Sequence, residues 1–208
     1  MGSILFEEDV LKTKEEIINV LKSFKGSYEQ EVPIYSAVKR NGKKLYEYAR
    51  EGIDIELPKR TVEIKKIELI DDIEYKNNKT NFKFRCVVSK GTYIRSLIND
   101  IATELDTIGI MTNLRRIRQG SFKIESSIKL EDINTSNLKS IFEILPYKKV
   151  ELSDDIRKKV VNGALIDNIY NEDKVLFTSE NEAVALYKIC DSDKSKLKSY
   201  IMFKGGII

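Results

Sequence analysis

Two periodicities meet at Gly91, where an alternating strand pattern gives way to a helical one. Apolar and polar residues alternate from Phe82 to Val88, which is the spacing of a half-buried strand. After Gly91 the apolar residues recur every three or four positions, at Ile94, Leu97, Ile98, Ile101, Ala102 and Leu105. Free backbone N–H groups at such a helix start favour an anion. The pattern therefore predicts a site for a negatively charged ligand, with four side chains in the first helical turn: Lys90, Thr92, Tyr93 and Arg95.

Helical and extended patterns also alternate on the N-terminal side of this junction. Thr13 and Glu16 have the spacing of a capping box, ahead of a helix that should end at Gly26. An Asn41-Gly42 turn precedes a short helix that should end at Gly52. A long strand with a bulge is then predicted from the apolar positions Val62, Ile64, Ile67 and Leu69.

The pattern continues less regularly after the central helix. Residues 114–124 are predicted as two strands bent at Gln119-Gly120, with Arg116 and Arg118 on one face. A helix is predicted around 138–145, and Pro146 should end it. We therefore expect a domain boundary near Tyr147, which divides the chain into residues 1–146 and 147–208.

The second of these domains is predicted to be a small, mostly β module. Ser153 should cap a helix that Gly163 ends. Four short strands are expected near residues 164–169, 173–178, 182–190 and 198–204.

Composition excludes several classes of chemistry. The chain has 208 residues and no histidine, which removes Ser-His-Asp catalysis, Cys-His catalysis and most zinc sites. The two cysteines, Cys86 and Cys190, lie in apolar contexts and are expected to be buried free thiols, which suits the cytoplasm. No apolar run is long enough to span a membrane, and the first residues lack the basic–apolar–small pattern expected of a signal peptide.

Clustered cations carry the argument for nucleic acid, because the net charge of +3 is only mildly basic. One cluster surrounds the Asn41-Gly42 turn, close to three tyrosines; its members are Lys39, Arg40, Lys43 and Lys44, with Tyr35, Tyr46 and Tyr48. A second consists of Arg115, Arg116 and Arg118. Basic side chains interleaved with aromatic ones suit phosphates and exposed bases. A solvated helix face and a charged strand edge are the alternative interpretations.

Arg95 is the residue of most interest at the helix start. It could orient a carboxylate or a phosphate, or it could be an ordinary surface arginine or part of an internal salt bridge. The nearby Ser89–Thr92 run lacks the spacing of a phosphate loop, so nucleotide hydrolysis is not expected. The acidic pairs Asp71-Asp72 and Asp154-Asp155 are interpreted as turn and cap residues and not as catalytic dyads.

The chain contains two long motifs. The first is Pro33-Ile-Tyr-Ser-Ala-Val-Lys39 with the stretch from Asn41 to Gly52, and the second runs from Cys86 through Ser-Lys-Gly-Thr-Tyr-Ile-Arg-Ser-Leu to Asp100. Together these motifs closely resemble the TruB family of bacterial tRNA pseudouridine synthases. Leu114-Arg-Arg-Ile117 and Gly120-Ser-Phe122 continue the match, and Val161-Asn-Gly-Ala164 extends it weakly.

The resemblance implies an α+β fold, in which a mixed, mainly antiparallel sheet with helices is followed by a small PUA-like, RNA-binding β module. It implies isomerisation of the T-loop uridine of tRNA, uridine 55 in tRNA numbering, to pseudouridine, without a cofactor or metal. The partner would be the T-arm stem-loop of tRNA, whose uridine is flipped out of the stack.

The resemblance also assigns roles to individual residues. Arg95 would pair with the catalytic aspartate, Tyr93 would lie beside the pocket, and Leu114 would pack on the base. The RNA-binding residues would be Tyr35, Lys39, Arg40, Lys43, Lys44, Lys90, Thr92, Arg115 and Arg116.

The sequence departs from the family pattern at the catalytic aspartate. That residue lies in a Gly-x-Leu-Asp motif N-terminal to the residues quoted above, and no such motif occurs in the 208 residues. We therefore expect a truncated C-terminal portion that does not make pseudouridine alone. The full-length enzyme is expected to be monomeric, whereas this fragment could self-associate through uncovered edges or apolar faces.

Two other functions remain open from the sequence. The first is a non-catalytic RNA-binding module, in which the same basic clusters bind a stem-loop without chemistry. The second is a guide-dependent relative that works within a ribonucleoprotein.

Overall fold

A three-stranded antiparallel sheet forms the centre of the first part of the chain. The computed structural model describes residues 6–203, and their contacts divide them at Arg115 into two units, which are considered separately. The elements of the first unit are α1 (Lys14–Ser23), β1 (Gly26–Glu31), β2 (Lys39–Arg40), β3 (Lys43–Lys44), α2 (Leu45–Glu51), β4 (Lys59–Lys76), β5 (Lys79–Val88) and α3 (Ile94–Glu104). The sheet has the order β1-β4-β5, and β2 and β3 form a separate small hairpin.

Local sequence signals explain where these elements begin and end. The predicted capping box is present, because the Thr13 hydroxyl accepts a hydrogen bond from the Glu16 N–H while the Glu16 carboxylate accepts one from the Thr13 N–H. The hairpin β4–β5 turns at Asn77 and Asn78, both with positive φ. The bulge predicted in the long strand is a register shift between Ile64 and Lys66.

The core of the first unit lies between one face of this sheet and the helices α1 and α3. Its buried members are Ile17, Leu21, Ile64, Leu97, Ile101 and Leu105. The apolar positions predicted after Gly91 therefore do form one helix face, and the strand predicted over 82–88 is the C-terminal part of β5.

Two predictions for the first unit were wrong in detail. Helix α3 begins at Ile94 with Tyr93 as its N-cap, so Lys90 and Thr92 lie in the preceding turn and not in the first helical turn. Residues 108–117 have no regular structure, although a strand was expected from Leu114. The exposed side chains of Ile110 and Leu114 show that this stretch has no layer to pack on, and strand propensity depends on such packing.

The second unit is built on a five-stranded sheet. After the short hairpin β6 (Arg118–Gln119) and β7 (Phe122–Lys123) come single 3-10 turns at Ile124–Ser126, Leu130–Asp132 and Thr135–Asn137. The remaining elements are α4 (Ile141–Ile144), β8 (Lys148–Glu151), α5 (Asp154–Val161), β9 (Ile166–Asp167), β10 (Lys174–Ser179), β11 (Glu182–Ile189) and β12 (Lys196–Met202). The sheet order is β8-β10-β11-β12-β9, with only the β8–β10 pair parallel.

One face of this sheet packs against α5 around the buried ring of Tyr187. Phe177 meets that ring edge-on, at 5.3 Å between centroids. The Tyr187 hydroxyl donates to the carbonyls of Val160 and Ala164, at 3.2 and 3.1 Å, and so ties β11 to the end of α5. Burial raises the pKa of Tyr187 to about 12.

The four predicted strands of this module are present, and α5 begins after Ser153 as expected. The parallel edge strand β8 was missed, because Val150 is its single apolar residue among charged ones. The proposed boundary near Tyr147 directly precedes β8, whereas the contacts divide the chain at Arg115. The domain boundary near Tyr147 therefore stays a prediction.

Both cysteines are free; Cys190 is buried, but Cys86 is only partly buried. Within residues 6–203, no helix is both long and apolar enough to cross a bilayer. The same residues contain no cluster of three or more cysteine, aspartate or glutamate side chains arranged to hold a metal ion.

Candidate functional site

The turn from β5 into α3 is held against β4 by the side chain and backbone of Ser89. The Ser89 N–H donates to the Glu63 carbonyl at 2.8 Å, and the Ser89 hydroxyl accepts from the Glu63 N–H at 2.9 Å. The Thr92 hydroxyl then donates to the Ser89 carbonyl at 3.0 Å. Gly91 has φ of +93°, a conformation that L side chains rarely adopt. The start of α3 is therefore fixed by the turn itself.

A buried polar network fixes the same helix start from β1. Gln30 is 1% exposed, and its carbonyl oxygen accepts from the Tyr93 N–H at 2.8 Å. Its amide nitrogen donates to the Tyr28 hydroxyl at 2.6 Å, and that hydroxyl donates to the Asp100 carboxylate at 3.0 Å. The Ser96 hydroxyl also donates to the Glu31 carbonyl at 2.8 Å. These bonds satisfy an N-terminal N–H of the helix and connect its first two turns to the sheet.

Burial raises the pKa of both ionisable groups of this network, Asp100 and Tyr28. It raises the pKa of the Asp100 carboxyl, while the hydrogen bond from Tyr28 opposes that shift. Burial also raises the pKa of the Tyr28 hydroxyl, and the hydrogen bond and negative charge of Asp100 raise it further. Burial in this network therefore favours the protonated form of both groups.

Arg95 extends from the helix start that the network fixes. Its guanidinium Nη2 donates to the Tyr35 carbonyl at 3.0 Å, and the residue is exposed. Among residues 6–203, no carboxylate forms an ion pair with it. The ring of Tyr35 is itself 61% exposed. The internal salt bridge considered from the sequence is therefore not formed, and the charge of Arg95 is open to an additional partner.

The hairpin β2–β3 presents the first basic cluster. Lys39 is opposite Lys44, and Arg40 is opposite Lys43. Two of these cations are ion-paired, Arg40 with Glu56 at 2.8 Å and Lys43 with Glu51. In the described part of the chain, Lys39 and Lys44 have no carboxylate partner. Only half of the cluster thus offers uncompensated charge to a phosphate.

Aromatic rings of α2 lie beneath these lysines. The Lys43 ammonium is 5.0 Å from the centroid of Tyr48, and the Lys44 ammonium is 5.5 Å from that of Tyr46. Arg50 contacts Tyr46 as well, at 5.2 Å. The Tyr48 hydroxyl donates to the Arg40 carbonyl at 3.1 Å, which fastens the hairpin to the helix. Cation–π contacts of this kind hold the long basic side chains in place.

The other candidate residues take no part in the contacts described above. Lys90 is exposed in the turn before α3. Leu114 is 55% exposed and Arg115 is exposed, both within the irregular stretch 108–117. Arg116 belongs to the second unit, where its guanidinium donates to the Gln119 side chain at 2.8 Å. The hydrogen bonds that hold Arg95 include none of these four.

Sequence reasoning missed the residues that position the site. Gln30 lies between Glu29 and Glu31 in β1, and nothing in that polar run indicates that its side chain is buried. Arg60 was missed as well. Its guanidinium borders the turn, because a Cβ placed on Gly91 would lie 3.8 Å from the Arg60 Nη1. Asp100 ends the second motif given above. Its position on one stripe of the predicted helix α3 was the sequence signal that could have indicated its role in the site.

Two family models together match more than half of the chain. Residues 2–94 match a family described as TruB family pseudouridylate synthase (N terminal domain). Residues 95–142 match one described as tRNA pseudouridylate synthase B C-terminal domain. The two matches meet at the start of α3, between Ile94 and Arg95.

Individual relatives agree with these matches. Proteins named tRNA pseudouridine synthase B are 41% identical in Lactobacillus acidophilus, over 90% of this chain and 67% of the relative, and 41% identical in Mesoplasma florum, over 99% and 70%. The protein of that name in Staphylococcus aureus strain Newman is 38% identical, over 91% of this chain and 68% of its own length.

A solved structure with a similar fold is a chain of a Cbf5-Nop10-Gar1 complex. It matches 95% of this chain with a TM-score of 0.67 and 26% identity, and the match spans 64% of that chain, less than two thirds of its length. The fold of the chain is therefore that of the pseudouridine synthases. The chain belongs to the TruB family.

Proposed function

We propose that this chain supplies the RNA-binding surface and the catalytic arginine of a tRNA pseudouridine synthase that acts on the T-loop uridine, uridine 55 in tRNA numbering. The observation that supports this most directly is Arg95, held by the Tyr35 carbonyl at 3.0 Å and without a carboxylate partner in the described chain. An arginine close to a carboxylate favours its ionised form. Arg95 is therefore available to keep the family's catalytic aspartate charged.

The remaining assigned residues fit the demands of base flipping. The reaction takes a uridine out of the stack, breaks its glycosidic bond and rejoins the base to the ribose through C5. A flipped base needs aromatic or apolar walls, and the exposed side chains of Tyr35 and Leu114 are available for that contact. Tyr93 would lie beside this pocket, since it is the N-cap of the helix that carries Arg95.

We further propose that these 208 residues do not convert uridine on their own. They contain no Gly-x-Leu-Asp motif, and Arg95 by itself offers no nucleophile. RNA binding without conversion is the expected behaviour of the purified chain, and its site of action would be the cytoplasm.

The RNA surface would consist of the cations that lack an acidic partner. Lys39 and Lys44 would contact phosphates directly, whereas Arg40 and Lys43 are already ion-paired. Lys90, Thr92 and Arg115 would extend this surface, with Tyr35 contributing a ring. Arg116, in the second unit, would also be an RNA-binding residue. The bound element would be the T-arm stem-loop.

Binding of a labelled T-arm stem-loop RNA at several salt concentrations tests this surface. The Lys39→Gln/Lys44→Gln double variant should bind about 10-fold or more weakly, and the slope of log K against log salt should fall in magnitude by about 2. The matched control is Lys22→Gln/Lys25→Gln, at the end of α1, which should bind as the unmodified chain does. Equal affinity and salt dependence of all three proteins would remove the assignment.

Two alternatives from the sequence are less well supported. The proteins named tRNA pseudouridine synthase B are 38–41% identical to this chain, against 26% for the chain from the Cbf5-Nop10-Gar1 complex. This difference favours a stand-alone tRNA enzyme over a relative that works within a ribonucleoprotein. A purely RNA-binding role would use the charge of Arg95 only for a phosphate, whereas relatives named as synthases at 38–41% identity favour a catalytic role.

A further inference from the structure

Arg60 lies on the same side of the sheet as the network that fixes the start of α3. It is directly opposite Gln30 in the β1–β4 pair, and residues directly opposite one another share a face of the sheet. The Gln30 side chain points towards α3, because it accepts the hydrogen bond from the Tyr93 N–H. Val62, two residues along β4 on this face, is 2% exposed, whereas Arg60 is exposed. Arg60 therefore lies at the edge of the core, next to the helix start.

The positive charge of Arg60 is not neutralised by the protein. Among residues 6–203, no carboxylate forms an ion pair with its guanidinium. The acidic residues of β1, Glu29 and Glu31, are directed to the opposite face of the sheet, because side chains alternate along a strand. On the α3 side, the Asp100 carboxylate is bonded to the Tyr28 hydroxyl. The guanidinium of Arg60 is therefore open to an anion from outside the chain.

Gly91 leaves this guanidinium accessible from the β5–α3 turn. A Cβ placed on Gly91 would lie 3.8 Å from the Arg60 Nη1, which is van der Waals contact. A side chain at this position would therefore cover part of the guanidinium, whereas glycine leaves room for a ligand that approaches along the turn. Arg95 follows four residues later, as the second residue of α3. Two arginines without an acidic partner thus border one helix start.

The two arginines have different surroundings, which suit different partners. The guanidinium of Arg95 donates to the Tyr35 carbonyl at 3.0 Å, and this bond fixes its direction. Arg60 makes no hydrogen bond in the described part of the chain, so its whole set of N–H donors is available to a ligand. The planar fork of donors in a guanidinium matches the oxygens of a phosphate in bidentate geometry. Arg60 is therefore suited to a phosphate.

We propose that Arg60 binds a backbone phosphate next to the uridine that is flipped out, while Arg95 serves the catalytic carboxylate. The assignment rests on the proposed function, and it adds a residue that holds the extruded nucleotide and not the stem. A flipped nucleotide rotates about its own backbone, so the phosphates beside it must be held where the base enters the protein. Arg60 lies at that place, because its guanidinium borders the turn into the helix that carries Arg95.

Binding of a labelled T-arm stem-loop RNA at several salt concentrations tests the charge of Arg60. Arg60→Gln should bind about 10-fold or more weakly, and the slope of log K against log salt should fall in magnitude by about 0.7, the value for a single phosphate. Arg60→Lys should retain the salt slope but recover only part of the affinity, because lysine keeps the charge without the fork of donors.

The matched control for these variants is Lys59→Gln. Lys59 is the neighbouring residue of β4, is exposed, and lies on the opposite face of the strand. Like Arg60, it has no carboxylate partner among the described residues. The control should bind the stem-loop with the affinity and salt dependence of the unmodified chain.

Neutral methylphosphonate linkages in the RNA locate the phosphate that Arg60 binds. One linkage is replaced at a time, either beside the target uridine or in the stem, with a deoxy sugar on its 5′ side in both the modified RNA and its reference. One of the linkages beside the uridine should weaken binding of the unmodified chain, and Arg60→Gln should then cause little further loss, because both changes remove the same contact. A neutral linkage in the stem should leave the effect of Arg60→Gln intact.

Circular dichroism and thermal melting show whether each variant is folded, and Arg60→Lys carries the test if Arg60→Gln is not. Equal binding by Arg60→Gln, Lys59→Gln and the unmodified chain would overturn the assignment. So would losses that simply add when Arg60→Gln is combined with a neutral linkage on either side of the uridine.

A failure of this assignment can be told apart from a failure of the proposed function. If the stem-loop binds through Lys39 and Lys44 while Arg60→Gln has no effect, only the role of Arg60 is wrong. If the unmodified chain does not bind the stem-loop at all, the proposed function fails, and the role of Arg60 fails with it.

Discussion

The side chain of Gln30 connects strand β1 with the start of helix α3 through two hydrogen bonds. Its oxygen accepts from the Tyr93 N–H of α3, and its amide donates to the Tyr28 hydroxyl of β1, with almost no solvent access. Replacement of such a group leaves a buried donor and a buried acceptor without partners, which costs more than the bonds themselves contribute.

Gln30→Ala is therefore expected to lower the free energy of unfolding by about 1–3 kcal/mol. Urea denaturation followed by circular dichroism measures this. The control is Glu29→Ala, at the exposed neighbouring position, which should change stability by less than about 0.5 kcal/mol. Similar effects of the two substitutions would contradict the assigned role.

Asp100 makes the stability of the folded chain depend on pH, in a direction set by the shift of its pKa. Because burial raises its folded-state pKa above the ordinary 3.8, the folded chain keeps this proton over a pH range in which the unfolded chain has released it. The associated stabilisation is complete below the unfolded pKa and is lost as pH rises through the folded pKa.

Asp100→Asn cannot ionise, so it should gain stability relative to the unmodified chain as pH rises through that window, and the difference should level off above it. Urea unfolding of both proteins between about pH 3 and pH 7 gives the difference directly. A difference that is constant, or that falls as pH rises, would show that Asp100 is not buried as described.

These residues show which parts of the site could be predicted from the sequence and which could not. Arg95, Tyr93 and Tyr35 could be named in advance, because they belong to motifs and carry recognisable chemistry. Gln30 and Tyr28 could not, because their importance comes from a long-range pairing between β1 and α3 that leaves no local periodicity. The partial neutralisation of the Lys39–Lys44 cluster was likewise hidden, since Glu51 and Glu56 follow it in sequence without indicating that they fold back.

Among the elements, the β5–α3 junction is the one most strongly determined by local sequence. The alternation up to Val88, the positive φ of Gly91 and the helical spacing from Ile94 all agree with the fold. In contrast, the stretch 114–124 has apolar residues but only two-residue strands, because no layer covers it in the described structure. Local patterns predict an element reliably only where a core exists for it.

Gly91→Ala tests the junction as an element. The φ of +93° suits glycine, so the substitution should cost about 1–2 kcal/mol of unfolding free energy, although the space beside it is adequate. Thermal or urea unfolding measures the loss. Lys90→Ala, at the exposed neighbouring position of the same turn, is the control and should be nearly neutral. A neutral Gly91→Ala would mean that the turn relaxes freely and does not hold Arg95.

At the scale of the whole molecule, many of the large exposed apolar side chains of residues 6–203 belong to the sequence stretch 108–141. Ile110, Leu130 and Leu138 are 81%, 85% and 74% exposed. Large apolar surfaces on a monomer favour association. Self-association of this chain stays a prediction, and these side chains are the ones that would contribute to it.

Sedimentation velocity at several concentrations should therefore show concentration-dependent association, driven by apolar contacts. The Ile110→Ser/Leu130→Ser/Leu138→Ser variant should shift the distribution towards monomer. Leu165→Ser/Ile169→Ser alters exposed apolar residues elsewhere and should not. A monodisperse monomer at all concentrations would contradict this prediction.

The measurement that tests the central claim most directly is conversion of T-arm RNA carrying C5-tritiated uridine, because joining C5 to the ribose releases the tritium. Each reaction contains the chain alone or the chain together with a polypeptide that supplies the family's Gly-x-Leu-Asp segment. The account predicts no release by the chain alone, release when the segment is supplied, and loss of that release with Arg95→Ala. Tritium release by the chain alone, or release that Arg95→Ala leaves undiminished, would contradict it.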